Sequence, residues 1–392
     1  MNELKICDNN PFTTSTAQAL ISNLSITYSL DPVTDITELT QLAKMYASNP
    51  SYGDSNRKLL GFQILQIADC RFSSIKCANN SNGVYTDFHW YYSFDYGNCY
   101  QFNVGLDYNN NSVTLKSSKR QGVTYGLQVQ LGPLYSNNQY QTTDSTGMIV
   151  FIHNSTFLPT TSDAVYIETG SSASIEIKKV FTNNYVYPYS ECKDLTSFSS
   201  YLYSSTNSLY GAYRQQDCFN LHIQQNIIKN CGCYYTAYPM LTQSSVCLTN
   251  DSYDCINEQI NDFSDEEASA QCPLECFTVS YDKTISTLEY PTSAYYYNDI
   301  SDPSTLSYYQ SLLGVTNLSY TDYKKAFLSV KIYYPVLIAQ NIIETPKTSP
   351  IDLLSQIGGS LGMFLGLSAF TIIDVIELVV MIMVALFKQK KD

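Results

Sequence analysis

"IGGSLGMFLGLSAFTIIDVIELVV" runs from Ile357 to Val380, close to the C-terminus. It opens rich in glycine and then sets two acids, Asp374 and Glu377, into an otherwise apolar run. Residues 353–373 carry no charged side chain, and the apolar character continues to Phe387. About 20 apolar residues cross a bilayer core, so residues 350–387 read as a C-terminal transmembrane α-helix. The tail that follows, "KQKKD" over residues 388–392, is basic, as cytoplasmic flanks are. A GPI signal would instead end in the apolar tail itself.

Gly358, Gly362 and Gly366 recur every four residues and so share one helix face. Small residues on such a face let helices approach closely, and a dimerisation stripe is one reading of them. Asp374 and Glu377 are three residues apart, again on one face. An isolated carboxylate at the bilayer centre costs on the order of 3 kcal/mol or more, and less near the interface. Acids held deep in the bilayer should therefore face water, and rings of Asp or Glu are how cation pores are lined.

The rest of the 392-residue chain is of another kind. The net charge of the whole chain, −13, argues against nucleic acid, which needs a basic face. The three histidines, His89, His153 and His222, are scattered, which speaks against a zinc site. No triad spacing or phosphate loop stands out, so no enzyme, cofactor or metal is expected. The 12 cysteines lie between Cys7 and Cys276. Asn-x-Ser/Thr sequons occur at Asn23, Asn79, Asn110, Asn154, Asn250 and Asn317. Together these features mark residues 1–349 as an extracellular, disulfide-bonded ectodomain at the plasma membrane. "MNELKICDNN" is no signal peptide. The expectation is therefore that a membrane segment lies upstream of Met1; the alternative is a cytosolic tail-anchored protein.

Periodicity suggests an α+β ectodomain. "DITELTQLAKMYAS" (Asp35–Ser48), Tyr213–Cys233 and Thr305–Gly314 have helical spacing. "GVTYGLQVQLG", "GMIVFIHN", "SASIEIKKVF" and "AFLSVKIYYPV" are β-branched, aromatic and partly alternating, as strands are. "SDEE" (Ser264–Glu267) reads as a solvated helix start.

Several short motifs then fall in a recognisable order: "ICDNNPF" (Ile6–Phe12), "CRFSSIKC" (Cys70–Cys77), "YGNCYQFN" (Tyr96–Asn103), "GLQVQL", "GMIVFIHN", "YPYSEC" (Tyr187–Cys192), "YRQQDC…CGC" and "LLSQIGGSLGMFLGLSAF". Their succession resembles the degenerin/epithelial sodium channel superfamily, which also holds acid-sensing and peptide-gated channels. The resemblance begins just after that family's first membrane helix, so the chain looks like a subunit lacking it. It implies a sheet core with finger- and thumb-like helical parts, the thumb over residues 192–276. It implies three subunits, identical or related, around a central sodium pore embedded in lipid and sensitive to amiloride.

By the same resemblance, the pore helix breaks at a Gly-x-Ser selectivity filter, here Gly366, Leu367 and Ser368. The family's middle residue is usually Ala, whereas here it is Leu. Asp374 and Glu377 match acidic positions beyond the filter. Ser355 matches the position where bulky side chains hold degenerin-type channels open, while Gly358 and Gly362 serve helix packing. "EYPTS" places Tyr290 where the family has tryptophan. The 12 cysteines alone allow roughly ten thousand pairings. The resemblance implies six of these: Cys7–Cys99, Cys70–Cys77, Cys192–Cys276, Cys218–Cys272, Cys231–Cys255 and Cys233–Cys247. The function implied is a gated sodium channel subunit. The rival is a truncated, non-conducting single-pass receptor or a dominant-negative subunit.

Overall fold

The computed structural model describes residues 3–132, 142–153, 159–193, 195, 198–366 and 369–389. Two sheets form the body. The first is antiparallel, with strands in the order β4 (Phe88–Ser93), β5 (Gly97–Phe102), β1 (Glu3–Asp8), β7 (Met148–His153) and β8 (Ala164–Ile167). The second runs β12 (Phe277–Glu289), β9 (Ser171–Asn183), β13 (Leu328–Tyr333), β6 (Leu127–Leu131), β2 (Ile67–Phe72) and β3 (Ile75–Lys76). Strand β14 (Gln340–Ile343) continues the β13 edge of β9, pairing parallel with its last residues.

Alternation sets the faces of these sheets. Along β13, Leu328, Val330 and Ile332 are buried, while Ser329, Lys331 and Tyr333 are half-buried. Leu4 and Ile6 of β1, Val150 and Ile152 of β7, and Ala173, Ile175 and Ile177 of β9 join them in one core between the sheets. Burial of this kind contributes roughly 25 cal/mol per Å² of apolar surface. The longest pairing, β9 with β12, keeps register from Ser171↔Glu289 to Asn183↔Phe277. Gly126, at the start of β6, is fixed by close approach: a Cβ there would lie 2.1 Å from the Ile332 carbonyl oxygen.

Helices cover the body. α1 (Ser15–Tyr28) and α2 (Ile36–Ser48) share a cluster that includes Phe12, Ile21, Leu39 and Ala43, next to the short α3 (Asp54–Arg57). α4 (Tyr201–Tyr210), α5 (Gln215–Cys231), α6 (Asn250–Asn261) and α7 (Asp265–Ser269) form the thumb-like part, with a small parallel pair β10 (Cys233–Tyr234) and β11 (Ser245–Val246). α8 (Ser293–Asp299), α9 (Pro303–Leu313) and α10 (Tyr320–Ala326) pack around Tyr296, Tyr309, Tyr323 and Phe327. Start signals are local. The side chains of Thr14, Ser200, Thr249, Ser264, Thr292, Asp302 and Ser319 each accept from a backbone N–H of the helix that follows.

The twelve cysteines form the pairs implied by the resemblance: Cys7–Cys99, Cys70–Cys77, Cys192–Cys276, Cys218–Cys272, Cys231–Cys255 and Cys233–Cys247. Cys7 and Cys99 sit directly opposite each other in the β1–β5 register, with Cα atoms 4.4 Å apart. Four bridges lie within 192–276; two of them, Cys231–Cys255 and Cys218–Cys272, tie α5 to α6 and to the segment after α7.

The stretch 350–387 is interrupted at Gly366, where the resemblance implied a break. It divides into α11 (Pro350–Leu365) and α12 (Ala369–Gln389), because Gly366 takes φ 64°, a left-handed conformation that ends an α-helix. Among the described residues no helix is long and apolar enough to cross a membrane.

Candidate functional site

The C-terminal helices begin with a strong local stop and start. After β14 the chain reaches Ser349, whose hydroxyl accepts from the Asp352 N–H at 3.1 Å, while the Asp352 carboxylate accepts from the Ser349 N–H at 3.2 Å. Pro350 occupies the first helical position, where its missing N–H costs nothing. This reciprocal cap fixes where α11 begins. Its end is fixed by Gly366, whose N–H returns to the Gly362 carbonyl at 3.1 Å. Gly has no Cβ to clash with the following carbonyl in that conformation, so the break falls on the one residue type that adopts it freely.

Ser355, Gly358 and Gly362 lie along one face of α11, at spacings of three and four residues. Ser355 and Gly358 are exposed. A Cβ added at Gly358 or Gly359 would meet nothing within 4 Å. No described residue therefore requires glycine there. Leu367 and Ser368 lie outside the described residues. On α12, Asp374 and Glu377 are exposed, about 7.5 and 12 Å along the axis from Ala369. The structure thus brings Gly366 to the hinge between two helices and sets the acids one to two turns beyond its far side.

The apolar side chains around these residues face outward. Leu354 is 72% exposed, Met363 and Phe364 are each 81% exposed, and Phe370 is 77% exposed. Both helices leave their large apolar side chains mostly exposed, a pattern that belongs to a membrane span or to a surface awaiting partners.

Of the sequons, Asn23, Asn79, Asn110 and Asn317 are exposed. Asn250 opens α6, and Asn154 lies outside the described residues. Tyr290 donates its backbone N–H to the Gly170 carbonyl at 2.8 Å and packs against Tyr295, with ring centroids 5.4 Å apart.

A family described as "Amiloride-sensitive sodium channel" matches residues 3–378, from the first strand through the acids of α12. The chain belongs to the amiloride-sensitive sodium channel family. It is thereby a member of the degenerin/epithelial sodium channel superfamily, a family of ion channels and not of enzymes. The epithelial sodium channel subunit gamma of Rattus norvegicus is 29% identical over 290 residues, covering 72% of this chain and 42% of that protein. The alpha subunit of Homo sapiens is 28% identical over 323 residues, covering 81% and 45%. Degenerin unc-8 of Caenorhabditis elegans is 26% identical over 314 residues, covering 79% and 38%. The chain spans less than half the length of each of these three relatives.

Sequence reasoning missed a second polar cluster at the base of the thumb-like part. Arg214 forks onto Asp217, with Nη2 to Oδ1 at 2.7 Å and Nε to Oδ2 at 3.1 Å. Glu275 Oε2 accepts the Gln215 N–H at 2.9 Å. Burial pushes the carboxyls of Asp217 and Glu275 above their ordinary range, against the pull of Arg214. The three-residue spacing in "YRQQDC" is the only sequence signal of this cluster, because Glu275 comes from sixty residues away.

Proposed function

We propose that this chain is a pore-forming subunit of a plasma-membrane sodium channel, with residues 1–349 outside the cell and α11–α12 in lipid around a sodium pathway. The observation that carries the reading is the C-terminal pair. Two apolar helices meet at a left-handed Gly366, expose their apolar side chains, and place two carboxylates just beyond the break. Non-helical backbone at membrane depth is tolerated where it lines water. In this reading Gly366, Leu367 and Ser368 form the constriction. Asp374 and Glu377 raise the cation concentration at the inner mouth, and Ser355 sits at a gating position facing a neighbouring subunit.

Three copies close the ring. The open surface at Gly358 is where another helix approaches. Relatives named as alpha and gamma subunits support assembly with related subunits as well as with itself. The family description supports amiloride block. The stimulus acts on the disulfide-bonded ectodomain.

The test is a voltage-clamp recording from oocytes expressing the full-length subunit, with and without amiloride. A sodium current that amiloride removes is expected. Protein at the surface with no current, alone or with related subunits, would sink the reading and leave a non-conducting receptor.

A further inference from the structure

The hairpin β2–β3 turns at Ser73 and Ser74, both at positive φ, and its base is tied by Cys70–Cys77. Its register sets Arg71 directly opposite Lys76. Arg71 in turn pairs with Gln128 of β6, and Gln128 with Lys331 of β13, so the three basic residues share one row on one face of the second sheet. The following loop adds to them: Ser74 donates to the Thr124 carbonyl, and Arg120, next to Lys119, donates to the Tyr125 hydroxyl. One carboxylate answers this group, Asp69 Oδ2 at 3.1 Å from Arg71 Nε. Among the described residues no carboxylate pairs with Lys76, Lys119, Arg120 or Lys331. Like charges directly opposite each other in a sheet repel.

A repulsion of the other sign stands on the thumb-like part. Asp254 and Glu258 of α6 are four residues apart, and Asp262, its C-cap, follows four later; all three are exposed. Like charges at that spacing destabilise a helix, and acids at its C-terminal end face the negative pole of its dipole. The acids of α7, by contrast, suit the start of their helix. No lysine or arginine occurs between Lys229 and Lys283, and no ion pair reaches the three acids of α6 among the described residues. Proteins break such local rules mainly at functional sites.

The two groups belong to opposite ends of one sheet. β3 is one edge, while the thumb-like part leaves the sheet after β9 and rejoins it at β12, the other edge. The strand spacings between β3 and β12 add to roughly 24 Å. Copies arranged in a closed ring of three meet through a heterologous contact, in which one surface of each subunit faces a different surface of the next. Opposite charges at opposite ends of one chain meet that requirement. We propose that the basic face of β2–β3 docks on the acidic face of α6 in a second copy of this chain, head to tail around the ring. Each repulsion is then relieved by the other. The contact rests on the three-copy assembly proposed above and adds which surfaces meet.

Two charge reversals in the full-length subunit, purified in detergent, test it. Glu258→Lys creates opposite-charge pairs with Asp254 and Asp262, and Lys76→Glu creates one with Arg71 across the hairpin. Each should therefore leave thermal unfolding of the subunit unchanged or move it slightly higher. Each should nonetheless raise the dissociation constant of the trimer about tenfold at low salt, read by light scattering over a dilution series. Placed together in one chain, the two reversals should return it to near the parent value. At about 0.5 M salt the differences should shrink, because the paired faces are solvent-exposed at their rims. A trimer whose dissociation neither reversal changes, or a double reversal no better than the single ones, overturns the contact and leaves the trimer standing. A chain that stays monomeric at every concentration overturns the contact together with the assembly beneath it.

Discussion

Along β13 the apolar residues Leu328, Val330 and Ile332 are all but sealed from solvent. Along α11 and α12 residues of the same chemistry, such as Leu354, Phe364 and Phe370, are mostly exposed. The body encloses a hydrophobic core within one chain; the C-terminal helices leave their large apolar side chains mostly exposed. The difference teaches where each region's free energy comes from. In the body, a substitution is read through folding. In the helices, whose large apolar side chains are mostly exposed, the proposed function has it read through contacts with lipid, a neighbouring subunit or a permeating ion.

The largest effect belongs to the body. Cys7–Cys99 closes a separation of 92 residues across the β1–β5 register. In the chain-entropy account a loop of that size contributes about 4–5 kcal/mol. Cys7→Ser with Cys99→Ser should therefore lower ectodomain stability by that order, read as a fall in the denaturation midpoint. A loss under about 1 kcal/mol would show that the sheet holds its register without the bridge.

Next comes Asp8, buried at the end of β1. Burial lifts its carboxyl to about 7, opposed by the Asn10 N–H that it accepts. The sign follows from linkage. The folded state holds this proton more tightly than the unfolded chain, so stability is fully present below the ordinary value of 3.8 and is lost as pH rises toward 7. The loss amounts to about 4 kcal/mol at most. Asp8→Asn should flatten that part of the stability–pH curve and be the more stable form at pH 8. A wild type that gains stability from pH 4 to 7 by as much as Asp8→Asn does would refute it.

How far the fold can be read from sequence follows the same division. Strands β6, β7, β9 and β13 show in the sequence because alternation is local. α2, α5 and α9 show because Gly232 and Gly314 end two of them and spacing marks all three. β12, the partner of β9 along its whole length, does not show: "FTVSYDKTISTLE" alternates, but most of its residues are exposed, so no apolar stripe announces it. The polar cluster of Arg214, Asp217 and Glu275 escapes for a different reason, since its members meet only through the tertiary fold. At the C-terminus the apolar run and the Gly-x-Ser are plain, and glycine's freedom at positive φ explains why the helix divides there. Which face meets water is a property of an assembly that one chain's pattern does not contain.

Two glycines sharpen the contrast. A Cβ at Gly126 would press on the Ile332 carbonyl, so Gly126→Ala should cost about 1–3 kcal/mol by overpacking. A Cβ at Gly358 meets nothing, so Gly358→Ala should leave folding unchanged or gain up to about 1 kcal/mol of helix propensity. Denaturation of the two variants side by side checks this. If Gly358→Ala nonetheless reduces current or trimer yield, the missing contact is intermolecular. If both variants lose stability alike, the helices pack on the body after all.

The smallest effect on folding should accompany a clear effect on conduction. Asp374 and Glu377 are exposed on α12, and surface substitutions away from special features usually stay within about 0.5 kcal/mol. Asp374→Asn with Glu377→Gln should therefore leave ectodomain stability and surface expression where they are. The same pair removes two negative charges per subunit beside the proposed cation path. In a trimer this is a ring of charge, and such fields concentrate counter-ions about tenfold or more. Single-channel conductance should fall by about half or more at low ionic strength, and by less at high salt, where screening shortens the field. Ser355→Phe complements this from α11: a bulky ring on the face shared with Gly358 should raise resting current without lowering stability. Conductance unchanged at both ionic strengths would place the acids outside the permeation path, and a silent Ser355→Phe in a conducting channel would remove that residue from the gate. Either result would leave the exposed helices as membrane anchor alone, with the difference between the two regions reduced to where each finds its solvent.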